Sequence, residues 1–159
     1  MYEIPQSVNL NGKEFAIRNK GDYRMVLDCL IALDDEELTK EERIASALII
    51  FYEDLNSLDD IQTKLPDTEL AFTEMCKFFN CGQTESLGAT VNYKLIDWDR
   101  DSQLISSAIN KVANTEIRSV PYLHWWTFMG YYLAVGESAL ATIVGIRNKI
   151  MKGKKLEKY

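Results

Sequence analysis

The sequence predicts a mainly α-helical domain of about six helices, headed by an N-terminal β-hairpin. Three observations predict it. An Asn11-Gly12 step sits between short stretches of alternating apolar residues, the strongest short-range hairpin signal. From Asp22 onward, apolar residues recur at helical spacing behind residues that favour helix starts. At 159 residues, 47% hydrophobic and 26% charged, the chain has the ordinary balance of a globular protein and can hold a core without staples. The expected organisation is one domain over 1–150 and a basic tail over 151–159.

A two-residue loop at Asn11-Gly12 pairs Leu10 with Lys13 and Val8 with Phe15. Val8, Leu10, Phe15 and Ile17 then share one face of a hairpin over 8–17. An isolated hairpin is marginal in water. That face therefore packs on the helices or on another subunit.

Asp22 is the expected N-cap of the first helix, with Tyr23, Val26, Leu27, Leu30 and Ile31 on its apolar face. Asp34-Asp35-Glu36-Glu37 closes it as a solvated turn. Thr39 with Glu42 fits a capping box, opening a helix faced by Ile44, Leu48, Phe51 and Leu55. Asp59 or Asp60 starts a short turn ending near Lys64. Pro66-Asp67 begins a helix with Ala71, Phe72, Met75, Cys76, Phe78 and Phe79 apolar, and Asn80-Cys81-Gly82 stops it. Residues 82–96 hold no period and read as a long mobile surface loop. Asp97-Trp98-Asp99-Arg100-Asp101 leads a helix carrying Leu104, Ile105, Ala108, Ile109 and Val112, closed near Asn114. Ser119 and Pro121 begin an aromatic helix that Gly136 breaks. Glu137 or Ser138 starts the last helix, with Leu140, Ile143, Val144, Ile146 and Ile150 apolar.

Charge is unevenly placed. Six of the 18 basic residues lie from Arg147 onward, against Glu157 alone of the 24 acids. The preceding 146 residues therefore hold 12 bases and 23 acids. An acidic body with a basic tail suits head-to-tail association or an acidic partner. Equally, cations favour the C-terminal end of a last helix. No apolar stretch reaches membrane-span length, and Met1-Tyr2-Glu3-Ile4-Pro5 lacks the basic start and apolar block of a signal peptide. A cytoplasmic protein is the expectation.

The residues that could carry chemistry are few. Cys29, Cys76 and Cys81 make an odd set with no second pair, and one His in the chain argues against zinc. Buried free thiols are expected. Asp97, Asp99 and Asp101 open like a calcium loop. Ser102 and Ala108 then stand where such a loop needs Gly and Glu. Acids at a helix start, stabilising its positive end, explain them better. His124 has no nucleophile motif beside it and sits among tryptophans, so a structural histidine is expected. The sequence holds no phosphate-cradling loop, zinc-protease helix or dinucleotide fingerprint. The expectation is a non-enzymatic protein without cofactor or metal.

The remaining feature is the run Tyr122-Leu123-His124-Trp125-Trp126-Thr127-Phe128-Met129-Gly130-Tyr131-Tyr132. On a helix, Tyr122, Trp125, Trp126, Met129 and Tyr132 cover more than one face. Such a helix is either wholly core or divided between core and a partner, since Trp, Tyr and Met are enriched at interfaces. The candidate interaction residues are those five together with Arg147, Lys149, Lys154 and Lys155.

The C-terminal two-fifths of the chain resembles a bacteriophage family named for its gene order, gene product fifteen. The resemblance rests on Asp97-Trp98-Asp99-Arg100-Asp101 with Leu104-Ile105, then Leu123-His124-Trp125-Trp126-Thr127-Phe128. Gly136-Glu137-Ser138, Ile146-Arg147-Asn148-Lys149 and Gly153-Lys154-Lys155-Leu156 follow. It implies a tail assembly chaperone of siphophages and prophages of Gram-positive bacteria. Such a protein coats the tape-measure protein, keeps it soluble and brings tail-tube subunits, the major tail protein, to it. It works in the host cytoplasm and is not expected in the mature virion. The family is often made in two lengths by ribosomal frameshifting, which a Lys-rich end suits. The resemblance implies no catalytic residues. A homo-oligomer, open or helical, follows as the expected state. The alternative reading is a nucleic-acid-associated phage factor using the basic tail, against which the acidic body argues.

Overall fold

The hairpin forms in the expected register. In this computed structural model, which describes residues 3–83 and 96–151, β1 (Ser7–Leu10) pairs antiparallel with β2 (Lys13–Ala16), Val8 opposite Phe15 and Leu10 opposite Lys13. Asn11 and Gly12 take φ of 52° and 88°, the left-handed pair that such a turn demands. Val8, Leu10, Phe15 and Ile17 are all buried. Most of the loop expected over 82–96, and the tail from residue 152, lie outside the described residues.

The described residues carry seven α-helices, so the chain is mainly helical with an N-terminal hairpin, as expected. They divide into two units, residues 3–83 with 122–127 and residues 96–121 with 128–151.

The first unit holds the hairpin, α1 (Tyr23–Leu33), α2 (Lys40–Phe51), α3 (Leu58–Lys64) and α4 (Thr68–Phe79). Asp22 caps α1 through the Arg24 N–H. Thr39 and Glu42 form the expected capping box on α2. Asp67 caps α4. For α3 the expectation needs correcting. Ser57 is the cap, accepting from the Asp60 N–H, and the helix begins at Leu58. A serine hydroxyl reaches this amide as well as a carboxylate does. The face of α1 is also rotated from expectation. Met25 and Cys29 are buried beside Tyr23 and Val26, while Ile31 is exposed, because α1 packs on Ala47 of α2.

The core of this unit is aromatic. The Phe51 ring meets Tyr52, Phe78 and Phe79 edge-on at 4.8, 5.4 and 5.7 Å. The Tyr52 hydroxyl, fully buried, donates to the Ala71 carbonyl at 2.7 Å.

The second unit holds α5 (Ser102–Ala113), α7 (Ala139–Met151) and, from Phe128, the greater part of α6 (Trp125–Ala134). Asn114 closes α5 in the left-handed conformation. Ser138 opens α7, accepting from the Ala141 N–H. The α6 helix starts later than expected. Residues 122–124 are extended rather than helical, for reasons that lie in the site.

Candidate functional site

Three contacts hold residues 122–124 extended. The Tyr23 N–H donates to the Leu123 carbonyl at 2.9 Å, the Leu123 N–H donates to Asp22 Oδ2 at 2.9 Å, and the Tyr122 hydroxyl donates to the Lys20 carbonyl at 2.9 Å. Asp22 thus caps α1 with one oxygen and fixes the aromatic run with the other, while Arg24 balances its charge at 3.0 Å.

His124 is the next link. Its Nδ1 accepts the Trp126 N–H at 3.1 Å, so it caps α6. Nε2 must then carry the proton, and it donates to the Pro5 carbonyl at 2.8 Å. Burial pushes the imidazole below its ordinary pKa, against the opposing pulls of the Pro5 bond and the Asp22 charge. This is a neutral, fully bonded histidine, the structural role the sequence suggested. Gly21 makes room for it. A Cβ there would lie 2.9 Å from both His124 Nε2 and Phe78 Cζ, and the glycine φ is +79°.

Trp125 and Trp126 finish the α4 end. The last four carbonyls of a helix lack partners within it. Here Cys76 receives the Asn80 N–H, Lys77 the Gly82 N–H, and Phe78 the Cys81 N–H. The Trp125 indole donates to Phe79 at 3.0 Å, and the Trp126 indole adds a second bond to Phe78 at 2.9 Å. Trp125 is fully buried, and Trp126 is half-buried with its ring against Gly82.

Trp126 forms one wall of a groove of about 230 Å³. Phe78, Glu74 and Lys77 of α4 contribute to it, and the opposite side is Pro5, Ser7, Val8 and Asn9. That side belongs wholly to the β1 strand and its approach. Bonded and non-bonded pairs alternate along an antiparallel ladder. The Ile17 N–H donates to the Gln6 carbonyl at 2.9 Å and sets the phase. The main chains of Ser7 and Asn9 therefore point away from β2. The far edge of β2 is covered, since Glu53 donates to the Ala16 carbonyl at 3.1 Å. The edge of β1 meets no such main-chain bond among the described residues.

The structure distributes the sequence-predicted interaction residues. Trp125 and Met129 are fully buried, Trp126 and Tyr132 half-buried, and Tyr122 exposed. Tyr132 meets Trp98 at 6.0 Å within the second unit. Arg147 forms a two-pronged pair with Asp101, whose carboxyl its hydrogen bonds hold below the usual carboxylate range. Lys149 lies half-exposed on α7. Lys154 and Lys155 lie outside the described residues. Of the three acids at the start of α5, two accept nearby N–H groups. Asp97 accepts from the Asp99 and Arg100 N–H groups, and Asp101 from the Asp97 N–H.

Sequence reasoning missed Arg18. Its Nε–H donates to the Ile50 carbonyl at 3.1 Å, and the two hydrogens of Nη2 are shared among the Ile49, Tyr52, Glu53 and Leu55 carbonyls at 2.8–3.2 Å, closing the end of α2. It also missed the open β1 edge. The hairpin signal was present, but nothing local indicates which edge a later segment will cover.

A family model described as "Bacteriophage Gp15 protein" matches residues 1–159. The match extends the resemblance beyond the C-terminal two-fifths to the hairpin and the acidic helices. No curated protein and no solved structure matches the chain.

Proposed function

The chain belongs to the bacteriophage Gp15 protein family, and from that membership we propose that it is a tail assembly chaperone. In this reading it binds the tape-measure protein in the cytoplasm of the bacterial host, keeps it soluble and presents it to the major tail protein. It acts by contact alone, without catalysis or cofactor, and leaves before the virion matures. The match to the phage family carries the reading.

Physical features support it. A chaperone of this kind needs several weak surfaces that act together on a long client. The first unit offers an apolar groove beside a strand edge that is open among the described residues, a form of surface that takes an extended segment of a neighbouring chain through main-chain bonds and so links many binding units along one client. The His124 imidazole is used up in structural bonds, and the Asp97 and Asp101 carboxylates are taken up by nearby N–H groups and by Arg147, which fits a binding role better than a catalytic one.

Co-expression with the tape-measure protein tests the reading. The expected result is a tape-measure protein that is soluble with this chain and aggregates without it. Equal solubility in both cases would overturn the proposal.

A further inference from the structure

The edge of β1, open among the described residues, and the apolar groove beside it form one unassigned surface. Ser7 and Asn9 direct main-chain donors and acceptors outward along it, a template for one more strand. Val8, Phe78 and Trp126 give it an apolar seat, and the volume of about 230 Å³ suits one large side chain with its main chain. Charge selects the occupant. Residues 3–83 carry 8 Lys and Arg against 17 Asp and Glu, and residues 122–127 add none, so the unit stands at −9. The groove itself is lined by one acid, Glu74, and one base, Lys77, and the acidic unit around it draws a basic segment and speeds its capture.

One segment of the chain itself has that chemistry. Residues 152–159 hold four lysines and one acid in sequence, with Leu156 and Tyr159 among them. We propose that the groove along β1 takes the basic C-terminal segment of a second copy of this chain, so that copies join head to tail. The contact is heterologous, and a heterologous contact that does not close into a ring propagates. That such a row of copies serves to coat a client rests on the chaperone reading. The contact itself does not.

Two measurements on the full chain test it. The receptor is the protein with Lys152, Lys154 and Lys155 each changed to Glu, and the probe is a fluorescent peptide of residues 151–159. Anisotropy should show saturable binding that weakens at least tenfold with salt. It should weaken as much in Ser7→Pro, which deletes an outward amide at an edge position where proline is tolerated. Glu74→Lys, a surface change on α4, should give the same loss and replaces Ser7→Pro if that variant fails to fold. No saturable binding, or binding unchanged in the groove variants, overturns the proposal.

Sedimentation velocity gives the second measurement. The unmodified protein should form species that grow with concentration, while the groove variant and the tail-reversed variant should each stay monomeric. An equimolar mixture of the two should yield dimers and nothing larger, since each supplies one intact half. A monomeric unmodified protein, as a segment folding back onto its own copy would give, overturns the proposal. Peptide binding that persists while the tape-measure protein gains no solubility would refute the chaperone reading and leave this contact standing.

Discussion

Trp125 and Trp126 donate their indole N–H groups to consecutive carbonyls of one helix end, Phe79 at 3.0 Å and Phe78 at 2.9 Å. Their side chains leave α6 about 100° apart, yet both terminate α4. They differ in what else they do. Trp125 fills the core and, among the described residues, is the only side-chain donor to Phe79, whereas Trp126 shares Phe78 with the Cys81 N–H and borders the groove.

Trp125→Phe therefore removes volume from a packed core and strands a carbonyl, at a cost of about 2–4 kcal/mol. Trp126→Phe leaves Phe78 with a partner and should cost about 1 kcal/mol. Urea denaturation of the two variants should show this order. Equal losses would mean that the two indoles are equivalent.

Two glycines separate backbone conformation from space. Gly12 has φ of +88° with nothing within 4 Å of an added Cβ, while Gly21 has φ of +79° and meets His124 and Phe78 at 2.9 Å. Gly12→Ala should cost only the conformational term, about 1–2 kcal/mol. Gly21→Ala should cost more, because it also displaces the histidine that caps α6. Thermal melts of the pair check the difference.

Arg18 closes α2 from a distance of more than thirty residues in sequence. Arg18→Ala should cost about 2–4 kcal/mol, since several carbonyls lose a charged donor together. Arg18→Lys should recover less than half of the loss, because an ammonium has one nitrogen and cannot occupy the separate Nε and Nη2 positions from which the guanidinium serves these carbonyls. Denaturant midpoints of both variants test this.

What the sequence made legible was local. Asn11-Gly12 set the hairpin register, because turn geometry and alternation act within a few residues. Thr39 with Glu42, Asp67, and Asn80-Cys81-Gly82 marked helix ends for the same reason. The start of α6 was not legible, because Asp22 and Tyr23, about a hundred residues away, hold 122–124 extended. The partners of Arg18 and Arg147 were hidden likewise. Long-range polar bonds leave no period. The aromatic run was visible as a feature, but only the fold divides it between a buried Trp125 and a Trp126 that borders a groove.

His124 makes the first unit sensitive to acid. Burial holds its folded pKa below the ordinary imidazole value of 6.5. The unfolded chain thus binds the proton more readily, and the stability this residue contributes is present above pH 6.5 and lost as pH falls through the folded value. Protonation also removes the acceptor for the Trp126 N–H. Urea midpoints should decline between pH 7.5 and about pH 5, and His124→Asn, which can still cap α6, should flatten that decline. An unchanged slope in the variant would assign the acid sensitivity to other groups.

On the proposed chaperone role, copies of this phage-family protein coat a long client. The most direct measurement is the mass of the complex purified after co-expression with the tape-measure protein, by light scattering. Coating should give one tape-measure chain carrying many copies of this protein, with copy number reduced by Ser7→Pro or by the charge-reversed tail. A tape-measure protein that purifies with no copies bound would contradict it.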